Sequence, residues 1–101
     1  MTGTTVLPRG ASIQWRCLPF AALSAHTLYR LLRLRSEVFV VEQNCVFLDM
    51  DGVDAQCLHV LGEVVDADGT PHLHASTRLV PPGVAFAEAS IGRVVTAPAA
   101  R

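Results

Sequence analysis

The fold is decided by one stretch of the chain, LLRLRSEVFVVEQ at residues 31–43. Its apolar residues recur at spacings of three, four and three, the stripe of an amphipathic helix: Leu31, Leu34, Val38 and Val41. Ser24 lies upstream and suits an N-cap, so the pattern predicts a helix from Ala25 to about Gln43. This is the one strongly helical segment of the sequence.

The segments around this helix have the composition of strands: Ile13–Leu18, Gln56–Val65, His72–Val80 and Ser90–Thr96. The second segment has apolar side chains on both faces, which is typical of a central strand. Asp66-Ala67-Asp68-Gly69 then predicts a hairpin turn, because Asp-Gly supplies the positive φ that such turns need. The order strand, helix, strand, strand, strand predicts an α+β fold with a mainly antiparallel sheet.

Length and charge narrow the class of protein. The chain has 101 residues, enough for one small domain. We expect that domain over residues 13–101, after a flexible N-terminal lead at residues 1–12. The 8 basic and 9 acidic side chains give a net charge of −1, so no overall field attracts nucleic acid or an anionic membrane. Every basic residue is an arginine, which excludes Schiff-base and P-loop-lysine chemistry.

The sequence predicts neither a membrane span nor export. The longest apolar runs, such as residues 38–41, are far shorter than the ~20 residues that cross a bilayer. Residues 1–10 lack the pattern of a signal peptide. Cys17, Cys45 and Cys57 are odd in number and have no C-x-x-C spacing. We interpret them as reduced thiols of a cytoplasmic protein.

One local motif predicts a different chemistry. The stretch VFLDMDGV at residues 46–53 resembles the nucleophile motif of haloacid-dehalogenase-like phosphatases. In that alternative Asp49 attacks phosphorus and Asp51 acts as acid and base, beside Mg²⁺. The motif follows a long helix here and the chain has no lysine, so an Asx-rich turn between helix and strand is the favoured interpretation.

Two histidines of the third predicted strand share a face with two other polar residues: His72, His74, Ser76 and Arg78. They would begin a metal site if Cys57 or His59 approached from the paired strand. No third ligand stands at a diagnostic spacing. The sequence therefore predicts a solvated polar face and no metal.

Glu42 lies where the predicted helix gives way to a loop. A carboxylate near the negative C-terminal end of a helix dipole is unfavourable, which is a weak indication of a functional role. The residue pattern alone favours a solvated carboxylate at this position.

Three stretches together resemble the ElaA-like branch of the GNAT N-acetyltransferase superfamily: LRSEVFVVEQNC at residues 34–45, LDMDGVD at residues 48–54 continuing to Leu58-His59, and SIGRVVTAPAAR at residues 90–101. The similarity extends over residues 13–101. It implies the GNAT fold and transfer of an acetyl group from acetyl-CoA to a primary amine of a small molecule or peptide. It also accounts for the phosphatase-like stretch, because that Asp-rich loop belongs to the ElaA-like pattern.

The resemblance assigns residues to the acetyl-CoA site. In the superfamily, backbone groups at the end of the fourth strand pair with the pantetheine arm, and the matching residues here are Val94, Val95 and Thr96. Arg101 matches the first residue of the loop that binds the pyrophosphate. Such a loop is a nest of backbone N–H groups at a helix N-terminus, which favours an anion.

The amine site is inferred from position in the sequence. Glu42 is the candidate general base or amine-binding carboxylate, because an ammonium group is not nucleophilic until it loses a proton. Phe39 and Gln43 are expected to line the amine pocket beside it.

The sequence departs from the family pattern after Arg101. The glycines of the pyrophosphate loop, the helix that follows and the fifth strand are missing. We therefore expect the N-terminal part of an acetyltransferase, inactive alone, whose unpaired last strand leads to self-association. The alternative from another class is a non-catalytic module that binds a partner through the sheet.

Overall fold

Within residues 12–101, which the computed structural model describes, four strands form one antiparallel sheet. They are β1 (Gln14–Pro19), β2 (Leu58–Val65), β3 (Pro71–Val80) and β4 (Ser90–Thr96). The sheet order is β1-β2-β3-β4, so β2 is a central strand as predicted. The predicted α+β class is confirmed, and β4 has the predicted bounds. The predicted lead over residues 1–12 falls, apart from Ser12, outside the described residues.

The helix begins at the predicted N-cap and changes from an α-helix to a π-helix near its middle. The Ser24 hydroxyl accepts a hydrogen bond from the Thr27 N–H at 3.1 Å, and α1 extends over Ala25–Arg35. The chain then continues as a π-helix over Ser36–Glu42, in which the Gln43 N–H donates to the Val38 carbonyl at 3.0 Å, five residues back. The prediction of one regular helical stripe is therefore wrong in this half.

The π-helical segment changes which side chains face the sheet. Each of its hydrogen bonds spans one more residue than in an α-helix, so the side chains rotate away from the α-helical pattern. Val41, predicted to belong to the stripe, is 74% exposed, whereas Val38 is buried and Phe39 is half-buried. The segment thus directs Val38 and Phe39 towards the sheet and leaves residues 41–43 exposed.

The helix packs on one face of the sheet. Leu34 and Val38 contact the buried Val95 of β4, and Phe39, Leu73 and Ala97 pack around them. This burial of aliphatic side chains between two layers is the main source of stability available to so short a chain. It also places the end of the π-helical segment beside the end of β4.

A turn follows β2 and another precedes it. The predicted turn between β2 and β3 is confirmed: Gly69 has a φ of +88°, and the Asp66 carboxylate accepts the N–H groups of Asp68 and Thr70. A 3-10 turn at Asp54–Gln56 precedes β2, which is why this strand begins at Leu58 rather than at Gln56. None of the helices among residues 12–101 has the length and hydropathy needed to span a bilayer.

Candidate functional site

Three arginines and three aspartates meet at the point where the helix, the loop before β2 and the sheet come together. We call them the Arg–Asp cluster: Arg35, Asp49, Asp51, Asp54, Arg78 and Arg93. Arg35 comes from α1, Arg78 from β3 and Arg93 from β4, while the aspartates come from the loop and the 3-10 turn after it. The formal charges of the six side chains cancel.

Arg78 binds two aspartates at once. Its guanidinium makes a bidentate pair with Asp51, with Nη2–Oδ2 at 2.6 Å and Nη1–Oδ1 at 2.9 Å. Nη1 also donates to Asp54 Oδ1 at 3.0 Å, and the same oxygen accepts Arg35 Nη1 at 2.9 Å. Asp54 therefore links β3 to α1.

Asp49 links α1 to β4. Arg93 Nε donates to Asp49 Oδ1 at 2.8 Å, and the Asp49 carbonyl accepts Arg93 Nη2 at 3.0 Å and Arg35 Nη2 at 3.1 Å. Arg35 Nε lies 3.0 Å from Asp49 Oδ2, but its N–H is not aligned for a hydrogen bond, so this contact is purely electrostatic. The Asp49 side chain is 4% exposed and lies between the guanidinium groups of Arg35 and Arg93.

The ion pairs favour the charged forms of Asp51, Asp54 and Arg78. Hydrogen bonds from Arg78 hold the pKa of Asp51 well below its usual range. Burial by itself raises the pKa of Asp54, but hydrogen bonds from Arg35 and Arg78 more than offset it, so that this pKa is also lowered. The hydrogen bonds to Asp51 raise the pKa of Arg78. Asp51, Asp54 and Arg78 are thus charged at neutral pH.

This arrangement gives no support to the phosphatase alternative. Both Asp49 and Asp51 are occupied by guanidinium groups, whereas a nucleophilic carboxylate must face its substrate. The Asx turn is present, since Asp51 Oδ1 accepts the Val53 N–H at 3.1 Å. The loop also has a role that the prediction of an Asx turn did not include. Its aspartates are the counter-ions of the three arginines of the cluster.

The predicted solvated face of β3 is wrong in its central part. Ser76 and Arg78 are buried, because the Asp-rich loop and the helix cover this face. Only His72, at the beginning of the strand, is exposed, and its Nε2 lies 2.6 Å from Asp66 Oδ2. Burial lowers the pKa of His74, which is half-buried.

The residues considered for a metal site are engaged elsewhere. His59 is buried with Nε2 2.8 Å from the Asp54 carbonyl, and Cys57 Sγ donates to the Val53 carbonyl at 3.3 Å. Burial raises the pKa of the Cys57 thiol. In the described part of the chain, no group of three or more His, Cys, Asp or Glu side chains is arranged to hold a metal ion.

A second cluster forms at the end of β4, from residues that the sequence analysis selected. Arg101 Nη1 lies 2.6 Å from Glu42 Oε1, and Arg101 Nε and Nη2 donate to the Thr96 carbonyl at 3.3 and 3.1 Å. The structure thus brings together the candidate base, the candidate pyrophosphate residue and the end of the candidate pantetheine strand. Glu42 is partly exposed and ion-paired, rather than only solvated.

The other selected residues lie around this contact in different settings. Phe39 packs against the core cluster, and Gln43 is exposed at the end of the π-helical segment. Val95 is buried under the helix, whereas Val94 is exposed. Val94, Val95 and Thr96 line one cavity, whereas Phe39 and Gln43 lie at the π-helical segment. A role shared by all five would come from the backbone of β4 and from the end of the helix.

The arginines of the buried cluster are not among the site residues predicted from the sequence. Arg35 offered a signal, because it lies four residues after Leu31 and three before Val38 and so falls within the apolar stripe. A charged residue at a stripe position is expected to be buried with a partner. The nearby Asp-rich loop supplies that partner.

Comparison with solved structures first defines the class. An acyl-CoA N-acyltransferase from Pseudomonas aeruginosa is 41% identical and superimposes with a TM-score of 0.76, over 89% of this chain and 60% of that one. The chain therefore has the acyl-CoA N-acyltransferase fold over the part that it spans. No family model matches the sequence.

Two further relatives indicate the branch of the acyltransferases to which the chain is most similar. The crystal structure of Escherichia coli ElaA is 40% identical, with a TM-score of 0.75 over 88% of this chain and 58% of that one. A UPF0039 protein of Synechocystis sp. is 42% identical over 89 residues, 88% of this chain and 55% of that protein. The chain belongs to the ElaA-like branch of the GNAT superfamily, as predicted, and it spans a little over half the length of these relatives.

Proposed function

We propose that this chain supplies the amine-activating part of an N-acetyltransferase that transfers an acetyl group from acetyl-CoA to a primary amine of a small molecule or peptide. One observation carries the proposal: Glu42, Arg101 and Thr96 meet at the end of β4. These residues were selected separately, one as a base and two for the cofactor. A site that joins acetyl-CoA to an amine requires the residues that bind each of them to lie close together.

The end of β4 has the chemistry to hold the pantetheine arm. Among residues 12–101, β4 pairs only with β3, so its outer edge presents backbone N–H and C=O groups. An amide-bearing chain can pair with such an edge as an added strand does. Val94, Val95 and Thr96 would hold this arm through their backbone, and Arg101 would attract the pyrophosphate.

Glu42 has the setting of a cation-binding carboxylate. In this structure a guanidinium lies 2.6 Å from it, at the position that an ammonium group of a substrate would take. Glu42 would orient that ammonium and accept a proton from it, since only the neutral amine is a nucleophile. Acetyl-CoA, when bound, supplies the acetyl group as an activated thioester. Arg101 would then be released to its own anionic partner.

The test uses two chains because the sequence spans only part of the relatives' length. The first is the chain itself, and the second is a chimera that continues after Arg101 with the remaining length of E. coli ElaA. Acetyl-CoA binding is measured by calorimetry, and acetylation of a panel of primary amines by thiol release. We expect the chimera to bind acetyl-CoA and acetylate, and the shorter chain to bind weakly, because a phosphate-binding loop supplies charge-assisted hydrogen bonds.

Glu42→Gln in the chimera isolates the base. We expect the acetylation rate to fall by roughly a hundredfold or more, with little change in acetyl-CoA affinity. Glu37→Gln is the matched control, because Glu37 is an exposed carboxylate of the same π-helical segment. Equal rates for both variants would remove Glu42 from the mechanism. A chimera that binds acetyl-CoA but acetylates no amine would favour a non-catalytic binding module.

A further inference from the structure

Strand β4 contains a bulge at Arg93. Thr96 and Val95 pair with Ala75 and Ser76, and Gly92 pairs with Arg78, so that Arg93 and Val94 both lie opposite Thr77. Arg93 has a φ of +52°, in the left-handed region that a residue with a side chain rarely adopts. This conformation costs on the order of 1 kcal/mol and persists only where the surroundings enforce it.

The bulge decides which side of β4 faces the helix. Side chains alternate along a strand, and an extra residue exchanges the two faces beyond it. Ile91 and Val94 are 69% and 66% exposed, whereas Val95 is buried against Leu34 and Val38. Without the extra residue Val94 would take the buried position. The backbone N–H and C=O groups of residues 94–96 would likewise exchange between the β3 side and the outer edge.

The Arg93 side chain fixes this bulge to the Arg–Asp cluster. Its Nε and Nη2 donate to the carboxylate and the carbonyl of Asp49 at 2.8 and 3.0 Å, and Nη2 lies 3.3 Å from Asp51 Oδ2. The guanidinium also lies 5.4 Å from the centre of the Phe47 ring, a cation–π distance. Asp49 is itself buried against Arg35 of α1. The strained residue is thus bound to a partner that cannot move freely.

We propose that Arg93, through Asp49, is a positioning residue for the acyl-CoA-binding edge of β4. By fixing the bulge it determines which backbone groups of Val94, Val95 and Thr96 face the pantetheine arm, without touching the acyl-CoA itself. This inference rests on the proposed function. It adds that the Asp-rich loop, remote in sequence from β4, sets the geometry of the acyl-CoA edge.

Two substitutions separate positioning from direct contact. Arg93→Ala removes the guanidinium and leaves a side chain that disfavours positive φ, whereas Arg93→Gly removes the guanidinium but tolerates positive φ. If Arg93 acts through the backbone, glycine should rescue much of what alanine loses. If Arg93 bound the acyl-CoA directly, both variants would lose affinity equally. Arg33→Ala, at an exposed arginine of α1, is the control for loss of one charge.

The experiment follows backbone amide signals of the full chain by NMR during titration with acetyl-CoA. We expect Arg93→Ala to weaken binding about tenfold to a hundredfold, Arg93→Gly to stay within about threefold of the parent chain, and Arg33→Ala to have no effect. Equal loss in the alanine and glycine variants, or no loss in either, overturns the inference. A thermal melt of each variant confirms that folded chains are compared.

Hydrogen exchange tests the inference about the bulge even if the proposed function fails. If the parent chain shows no acetyl-CoA-induced shifts in β4, the proposed function fails for this chain. The inference about the bulge is then decided by the amides of Val94–Thr96. Exchange at least tenfold faster in Arg93→Ala than in Arg93→Gly supports it. Unchanged exchange in Arg93→Ala overturns it, whatever the titration shows.

Discussion

Asp54 illustrates why the buried charges matter at the scale of single residues. One of its oxygens accepts from both Arg35 and Arg78, two side chains that are themselves buried. A buried ion pair is not by itself strongly stabilising, because desolvation offsets most of the attraction. Removing one member has a much larger effect, since the remaining charges stay buried without a counter-ion. The cluster therefore fixes the geometry more than it raises the stability.

We expect Asp54→Ala to lower the free energy of unfolding by about 3–5 kcal/mol, because it leaves two guanidinium groups short of one negative charge. Urea unfolding followed by circular dichroism measures the change. Glu88→Ala is the control, since Glu88 is an exposed carboxylate and its removal should change the free energy by less than about 0.5 kcal/mol. Similar losses for the two variants would mean that the cluster is not buried in solution.

The same carboxylates predict how stability depends on pH. The pKa values of Asp51 and Asp54 are lowered in the folded state, against about 3.9 for an unfolded aspartate. Their contribution is fully present above the unfolded pKa and is lost as the pH falls through the folded pKa. We therefore expect the free energy of unfolding to decline steadily below about pH 4.

The variant Asp51→Asn isolates this effect in urea unfolding between pH 7 and pH 2. It should be less stable than the parent chain at neutral pH, and its stability should fall less steeply in acid. His74, whose pKa burial lowers, adds a loss below about pH 6.5 in both chains and cancels in the comparison. Parallel curves for the two chains would contradict the assigned pKa shift of Asp51.

Sequence patterns predicted some residues of the site and not others, for a physical reason. Glu42 and Arg101 were selected from position and resemblance, and they meet in the structure. Arg78 was assigned to a solvated face because alternation shows which side chains share a face, not what covers that face. The cover comes from the Asp-rich loop, whose path depends on its own ion pairs with β3 and β4.

At the scale of elements, the π-helical segment places Glu42. A helix closed by bonds to the fifth preceding residue is rare and is often found at functional sites. Here it follows Arg35, which the cluster fixes, and it contains Val38, Val40 and Val41, β-branched residues that do not favour a regular α-helix. Periodicity alone predicts a helix of the right extent. It does not show the change to hydrogen bonds that reach the fifth preceding residue, since periodicity does not describe how Val38 and Phe39 pack near Val95.

The ring of Trp15 in β1 lies over Gly62, its partner residue in β2. A Cβ atom there would lie 2.7 Å from the Trp15 ring, so Gly62→Ala must displace the indole. We expect a loss of about 1–3 kcal/mol and an altered fluorescence of this single tryptophan. Gly92→Ala in β4 is the matched control, because the nearest atom, Arg78 Nε, would be 4.0 Å away. Equal stability and fluorescence of the two variants would show that Trp15 does not cover Gly62.

At the scale of the whole molecule, the helix covers only one face of the sheet. On the other face, a cavity of about 420 Å³ is lined by residues of all four strands, among them Trp15, Val60, Ala75 and Val94. Ile91 and Val94 of β4 are mostly exposed. Among residues 12–101 no helix covers this second face. Its exposed apolar surface is unfavourable in water and favours contact with another chain.

The outer edge of β4 and this open face together predict self-association. Among residues 12–101, β4 has no second neighbour, so its backbone groups can pair with the same edge of another copy. A net charge of −1 does little to keep copies apart.

We expect sedimentation velocity at several concentrations to show a concentration-dependent species larger than a monomer. The variant Ile91→Lys/Val94→Lys should shift it towards monomer, because charged side chains protect an edge strand. A concentration-independent monomer that melts cooperatively would contradict the prediction and would mean that the chain shields this edge by itself.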